Sequence, residues 1–126
     1  MIVGIGTDII EVARIEEMLA RRGQALASRL LSESELQGFA AHHTPARFLA
    51  KRFAAKEATL KALGTGLRNG MRWTDISVGH DALGKPLLAL SGAARQHFDS
   101  LGASHAHISL SDERHYVVAL VIIERS

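Results

Sequence analysis

Asp8 lies in an apolar stretch running from Ile2 to Ile10, and Glu57 lies in a second, largely apolar segment about fifty residues further on. An ionised carboxylate removed from water costs several kcal/mol unless it is paired or bound to a cation, so each position calls for a reason. Two readings stand on the residues alone. In the structural one, Asp8 accepts backbone hydrogen bonds at a strand end and Glu57 pairs with Lys61, an i,i+4 contact worth about 0.3–0.5 kcal/mol. In the chemical one, the two carboxylates hold a hard cation such as Mg²⁺, leaving several octahedral positions to water and substrate phosphate.

The surroundings of Glu57 carry further candidates. Between Arg47 and Arg72 lie Arg47, Lys51, Arg52, Lys56, Lys61, Arg68 and Arg72, with Glu57 the only acid among them. Such a segment is either a solvated helix face or a receptor for an anion. Gly64-Thr65-Gly66 closes the segment but is not a phosphate-binding P-loop, because no Gly-Lys-Ser/Thr follows and it stands at the wrong end of its helix. His105 and His107 sit two apart, a spacing that can ligate zinc and that more often marks polar residues on a half-exposed strand. Ser109 and Ser111 share their face, yet no Gly-x-Ser-x-Gly elbow surrounds them.

The elements that must position these groups follow from periodicity. Ile2 to Ile10 reads as a strand covered on both faces, with Asp8 sharing a face with Gly4 and Gly6, where missing side chains admit another backbone or a ligand. From Glu11 the period turns helical through Val12, Ile15 and Leu19, with Gly23 past the end. Arg14, Met18 and Arg21 form a neighbouring stripe. A short helix is expected over Gln24 to Leu31, and Ser32 with Glu35 reads as a capping box opening a third. Thr44 and Pro45 open the longest helix, to about Leu63, on which Phe53, Glu57 and Lys61 follow at four-residue steps. Strands are expected at Ile76 to Gly79 and Leu87 to Leu90 around a turn holding Asp81 and Gly84-Lys85-Pro86. Ser91 caps a helix through Leu101, and His105 to Ser111 forms a hairpin with the apolar strand Tyr116 to Ile123.

Composition narrows the chemistry. With 126 residues, 47% of them hydrophobic, a single domain over 1–126 is expected, and 0 cysteines removes disulfides, thiolate nucleophiles and Cys-based metal sites. The longest apolar run, Val117 to Ile123, is too short to span a bilayer, and Met1 to Ile10 carries no basic leader, so the cytoplasm is the expected compartment.

Three stretches taken together resemble a known family: Gly4-Ile5-Gly6-Thr7-Asp8-Ile9-Ile10-Glu11 through Arg14; Phe48 to Ala58, reading Phe-Leu-Ala-Lys-Arg-Phe-Ala-Ala-Lys-Glu-Ala, on to Lys61-Ala62 and Gly64-Thr65-Gly66; and Gly84-Lys85-Pro86. They are similar to the small bacterial holo-[acyl-carrier-protein] synthases, over essentially the whole chain. The resemblance implies an α+β fold, an antiparallel sheet packed with helices around one long central helix, assembled as a homotrimer with active sites between subunits. It implies Mg²⁺-dependent transfer of 4'-phosphopantetheine from coenzyme A to a serine of apo acyl carrier protein, releasing adenosine 3',5'-bisphosphate, in fatty acid biosynthesis. Residue by residue, Asp8 and Glu57 match metal ligands, and Lys61 matches a catalytic lysine near the transferred phosphate. Arg14 matches an arginine that docks the carrier protein, and by helical spacing Met18 and Arg21 continue it as one outward stripe suited to an acidic helix. Gly64, Thr65, Gly66, Lys85 and Pro86 match the lining of the coenzyme A site, and Arg52 and His105 positions near its nucleotide end. The sequence departs from many members at Asp112, where histidine is common, so no role is carried over to it. The general base stays open among Asp8, Glu57 and a metal-held water. Outside the resemblance, two other functions share these residues: a Mg²⁺-dependent pyrophosphatase or phosphodiesterase, and a non-enzymatic anion-binding module.

Overall fold

In the computed structural model, which describes residues 1–126, β1 covers Ile2–Glu11 and passes without a loop into α1, Val12–Arg22. Val12 and Ile15 are buried and Leu19 packs half-buried against the core, as the helical spacing requires. Gly23, at φ 57°, ends α1 by donating its N–H to the Leu19 carbonyl. Then come α2 (Gln24–Leu30) and α3 (Glu33–Ala41), the latter opened by the expected capping box: Ser32 Oγ accepts the Glu35 N–H, and Glu35 accepts the Ser32 N–H at 2.9 Å.

The long helix α4 spans Pro45–Leu63. Proline suits its first turn because no N–H there needs a partner. Thr44 does not cap it through its side chain as expected, because its hydroxyl and its N–H are both engaged with His42 Nδ1, at 3.1 and 3.0 Å. Gly64, in the left-handed region at φ 79°, closes the helix onto the carbonyls of Leu60 and Lys61. A 3₁₀ turn at Trp73–Asp75 leads into β2 (Ile76–His80), which pairs with β3 (Pro86–Leu90). In the turn between them the Asp81 carboxylate accepts the Lys85 and Leu83 N–H groups, both at 2.9 Å, which holds it below the usual carboxylate range. α5 (Gly92–Ser100), β4 (His105–Asp112) and β5 (Tyr116–Glu124) complete the chain. No helix is long and apolar enough to cross a membrane.

The architecture is α+β, with one antiparallel three-stranded sheet of order β1-β5-β4 and a separate β2-β3 hairpin. The first and last strands are therefore neighbours, with Gly6 opposite Val121 and Asp8 opposite Ala119. Gly4, Gly6 and Asp8 share the inner face with Val117, Ala119, Val121 and Ile123, the last four fully buried under α4. Burying each of those Val and Ile side chains contributes roughly 1.5–3 kcal/mol. The reading of β1 as a strand covered on both faces needs correction. Ile5 and Ile9 are 61% and 63% exposed, and Tyr116 and Val118 are 45% and 38% exposed on the same outer face. The near-continuous apolar character is real, but within one chain only the inner face finds cover.

Candidate active site at the β1–α4 seam

The seam is built by absence of side chains. A Cβ added to Gly4 would stand 2.0 Å from the Ala62 carbonyl oxygen, and one added to Gly6 would stand 2.0 Å from that of Ala58. On the helix side, Ala54, Ala58 and Ala62 recur at four-residue steps and are buried. Strand and helix backbones thus approach more closely than any larger pair would allow. The opening expected beside Asp8 is filled by the α4 backbone.

This contact brings Asp8 to Glu57 and Lys61. Lys61 Nζ donates to the Thr7 carbonyl at 2.9 Å and to Asp8 Oδ1 at 3.3 Å. The Asp8 side chain is 17% exposed, whereas that of Lys61 is 54% exposed and reaches in from solvent. Glu57 is half-buried, and its carboxyl is pushed above its ordinary range, first by desolvation and then by the negative charge of Asp8. Lys61 and Arg14 oppose that rise. Two carboxylates facing each other, with one flexible ammonium beside them, form a site short of positive charge. Oxygen-only donors of this kind fit Mg²⁺ better than a soft metal. No three His, Asp or Glu side chains come together so as to hold a metal ion, so a cation here would draw most of its ligands from water and substrate oxygens.

The remaining candidates fall elsewhere. Arg14 and Arg21 are exposed on α1, while Met18 between them is half-buried against the core rather than outward. Gly64, Thr65 and Gly66 follow α4 directly, with Thr65 Oγ1 against Met71 Sδ at 3.4 Å. Lys85, Pro86 and His107 line a cavity of about 270 Å³ between β3 and β4. His105 stacks on His107, whose Nε2 lies 2.5 Å from Glu124 Oε1. β4 is the far edge of the sheet from β1, so one chain does not bring Lys85, Pro86 and His105 to Asp8 and Glu57.

The basic segment is largely neutralised from within. Arg47 is paired with Asp112 and also donates to the carbonyls of Glu113 and Arg114, and Lys51 lies 3.5 Å from Asp112. Asp112, left without a role by the sequence, therefore anchors the β4–β5 turn to the start of α4. Arg72 pairs with Asp75. Arg52 lies over the Phe48 ring at 4.2 Å with its Nε 3.7 Å from Glu35, and only 10% of its side chain is exposed. Lys56 is fully buried against the same Glu35. The segment needs an anion, as its composition suggests, but acids from other elements supply most of it. Glu35 is the residue sequence reasoning missed; its only signal was a capping box, which is local and says nothing of a distant lysine.

Comparisons with known proteins bear on the family and the fold. The family model described as the 4'-phosphopantetheinyl transferase superfamily matches residues 4–121. The chain is 55% identical over 125 residues to the holo-[acyl-carrier-protein] synthase of Vibrio cholerae, covering 99% of each protein. It is 54% identical over 123 residues to that of Escherichia coli, covering 98% of each. The crystal structure of the Neisseria meningitidis synthase superposes with a TM-score of 0.93 at 45% identity, over 99% of this chain and 100% of that one. A Bacillus anthracis synthase in complex with coenzyme A (3',5'-ADP) superposes with a TM-score of 0.82 at 39% identity, over 100% and 99%.

Proposed function

The chain belongs to the 4'-phosphopantetheinyl transferase superfamily, and from that premise we propose that the β1–α4 seam is where it transfers 4'-phosphopantetheine from coenzyme A to a serine of apo acyl carrier protein. The observation that carries this is the meeting of Asp8, Glu57 and Lys61 across a contact only glycine permits. Asp8 and Glu57 would hold one Mg²⁺, which when bound neutralises pyrophosphate charge and aligns the leaving group. The protein's own groups do the rest. Lys61, hydrogen-bonded at 2.9 Å to the Thr7 carbonyl, brings a positive charge beside the phosphate that accepts the carrier hydroxyl. Asp8, Glu57 or a water held between them would take the hydroxyl proton. The 3',5'-bisphosphate of adenosine is the leaving group, and fatty acid biosynthesis in the cytoplasm is the setting this reading carries.

Gly64, Thr65, Gly66, Lys85, Pro86, His105 and Arg52 are assigned to coenzyme A on the same footing. Because Lys85, Pro86 and His105 lie at the opposite sheet edge from Asp8, a second copy must supply them. The bare outer face at Ile5, Ile9, Tyr116 and Val118 supports packing of copies there, as a homotrimer. Purified protein incubated with coenzyme A, Mg²⁺ and apo carrier is expected to add one phosphopantetheine mass to the carrier, to stop when the metal is chelated, and to sediment at three times the chain mass. Hydrolysis of coenzyme A with an unmodified carrier would move the site to the hydrolase reading.

Arg14 sits between the two tasks, since its charge acts on Glu57 while its guanidinium is exposed on α1. With Arg21 it offers two cations to an acidic helix of the carrier. Charge reversal in Arg21→Glu, the cation of the two that does not act on Glu57, is expected to raise KM for the carrier at least about threefold with KM for coenzyme A nearly unchanged, because rim charges act on encounter with their own partner. An unchanged carrier KM would place docking on another surface.

A further inference from the structure

The basic segment's most buried member has no part in the site described so far. Lys56 is wholly inaccessible, and its ammonium has three protons to donate. All three have acceptors: the Leu30 carbonyl at 2.6 Å, Glu35 Oε1 at 2.6 Å and the Trp73 carbonyl at 3.1 Å. Glu35, itself 3% exposed, also accepts the Ser32 N–H through Oε1 at 2.9 Å and the Val78 N–H through Oε2 at 3.0 Å. The end of α2, the start of α3, the 3₁₀ turn and β2 are thereby tied to one point in the middle of α4.

That point is adjacent in sequence to Glu57. Neighbouring helix side chains diverge by about 100°, so Lys56 is held by the α2–α3–β2 layer while Glu57 meets Asp8, Lys61 and Arg14. On its other side α4 is held by the glycine contact with β1. With side chains reaching about 5–6 Å from the axis, a roll of about 10° in α4 would displace the Glu57 carboxyl by about 1 Å. Packing of α4 against β1, β5 and α1 is apolar and non-directional; the Lys56 attachment on the opposite side adds directional hydrogen bonds that resist the roll.

We propose that Lys56 is a positioning residue that, through Glu35 and the Leu30 and Trp73 carbonyls, fixes the roll of α4 and so the geometry of the Asp8–Glu57 pair. This rests on the reading of Asp8 and Glu57 as cation ligands. A buried ion pair kept only for stability can be exchanged for apolar side chains at little cost, whereas removing one partner leaves an uncompensated charge. The two roles therefore separate in one set of variants. Mn²⁺ alone, titrated into metal-free protein and followed by its electron paramagnetic resonance, reports the carboxylate pair without turnover.

Lys56→Met is expected to lower the melting temperature sharply, and the double variant Glu35→Gln, Lys56→Met, whose amide oxygen can still accept one of the Ser32 and Val78 N–H groups, to recover part of that loss. If the pair positions α4, the recovered double variant still binds Mn²⁺ about tenfold more weakly than wild type, the scale at which outer-sphere supports act. A double variant with wild-type Mn²⁺ affinity would overturn the proposal and leave the pair a stabilising element. Should the double variant not fold, Glu35→Asp keeps every charge and shortens the tether by one methylene. A weakening of Mn²⁺ binding by threefold or more then supports the proposal, and no change overturns it. Asp8→Asn serves as the reference: if wild type and Asp8→Asn bind Mn²⁺ alike, it is the cation-site reading that fails.

Discussion

Glu57→Gln is expected to lower kcat/KM at limiting Mg²⁺ by about 100-fold or more, while the metal-free protein melts no lower than wild type at neutral pH. The first part follows from the several kcal/mol a bound cation supplies to phosphoryl transfer, at 1.36 kcal/mol per tenfold in rate. A neutral amide keeps the shape of the carboxylate but loses the charge that draws a hard cation. The second part follows from the direction of the Glu57 shift. Burial and the Asp8 charge raise its affinity for a proton, so the folded state favours the neutral form. The favourable contribution of that neutral form is complete below the unfolded carboxylate pKa and is lost as pH rises through the raised folded value. At neutral pH the ionised Glu57 is therefore a burden on the metal-free fold, and glutamine removes it. In chelator the two proteins should diverge above the carboxylate range, with the variant at or above wild type, and converge in acid. Thermal melts across pH, with and without Mg²⁺, test both parts together. Full activity at limiting Mg²⁺, or a variant destabilised at pH 7 in chelator, would show that Glu57 is held by protein contacts alone.

Gly6→Ala is expected to be the most damaging single methyl group in the chain. The added carbon would lie 2.0 Å from the Ala58 carbonyl oxygen, where ordinary contact begins at 3.4 Å, and the obstacle is backbone rather than a side chain able to turn away. Relief requires β1 and α4 to separate, at a cost of about 3 kcal/mol, the upper end of what overpacking usually costs. For a domain of this size that lowers the melting temperature by roughly 10 °C. The same separation carries Asp8, two residues along the strand on the same face, away from Glu57 and Lys61. A displacement of about 1 Å at a reacting centre can cost about 100-fold, so kcat should fall by that order in protein that is still folded at the assay temperature. Gly79→Ala is the control, since no atom lies within 4 Å of the site its Cβ would take and its backbone is not in the left-handed region. Equal melting temperatures for the two variants would mean that the strand and helix are not held as closely as described.

Much of this molecule is legible in the chain because helices, strands and caps are decided by neighbours a few residues away. The α1 stripe with its closing Gly23, the Ser32–Glu35 capping box, the span of α4 and the closing hairpin all follow from spacing and turn chemistry. The Asp8, Gly6 and Gly4 face was legible for the same reason, since alternation along a strand is a property of the backbone. What α4 does with that face was not, because only the packed structure brings the Ala58 and Ala62 carbonyls against the two glycines. Charge pairing shows the boundary most clearly. Sequence spacing reveals partners within one helical turn and suggested Glu57 with Lys61, whereas the folded chain joins Lys61 to Asp8, Lys56 to Glu35 and Arg47 to Asp112. Those pairs lie 53, 21 and 65 residues apart. An ion pair is chosen by distance in space, which local periodicity does not contain. Exposure obeys the same division: alternation says that Ile5 and Ile9 share a face, but only the folded chain sets Val118 beside them and decides that α4 covers the opposite face and leaves this one bare.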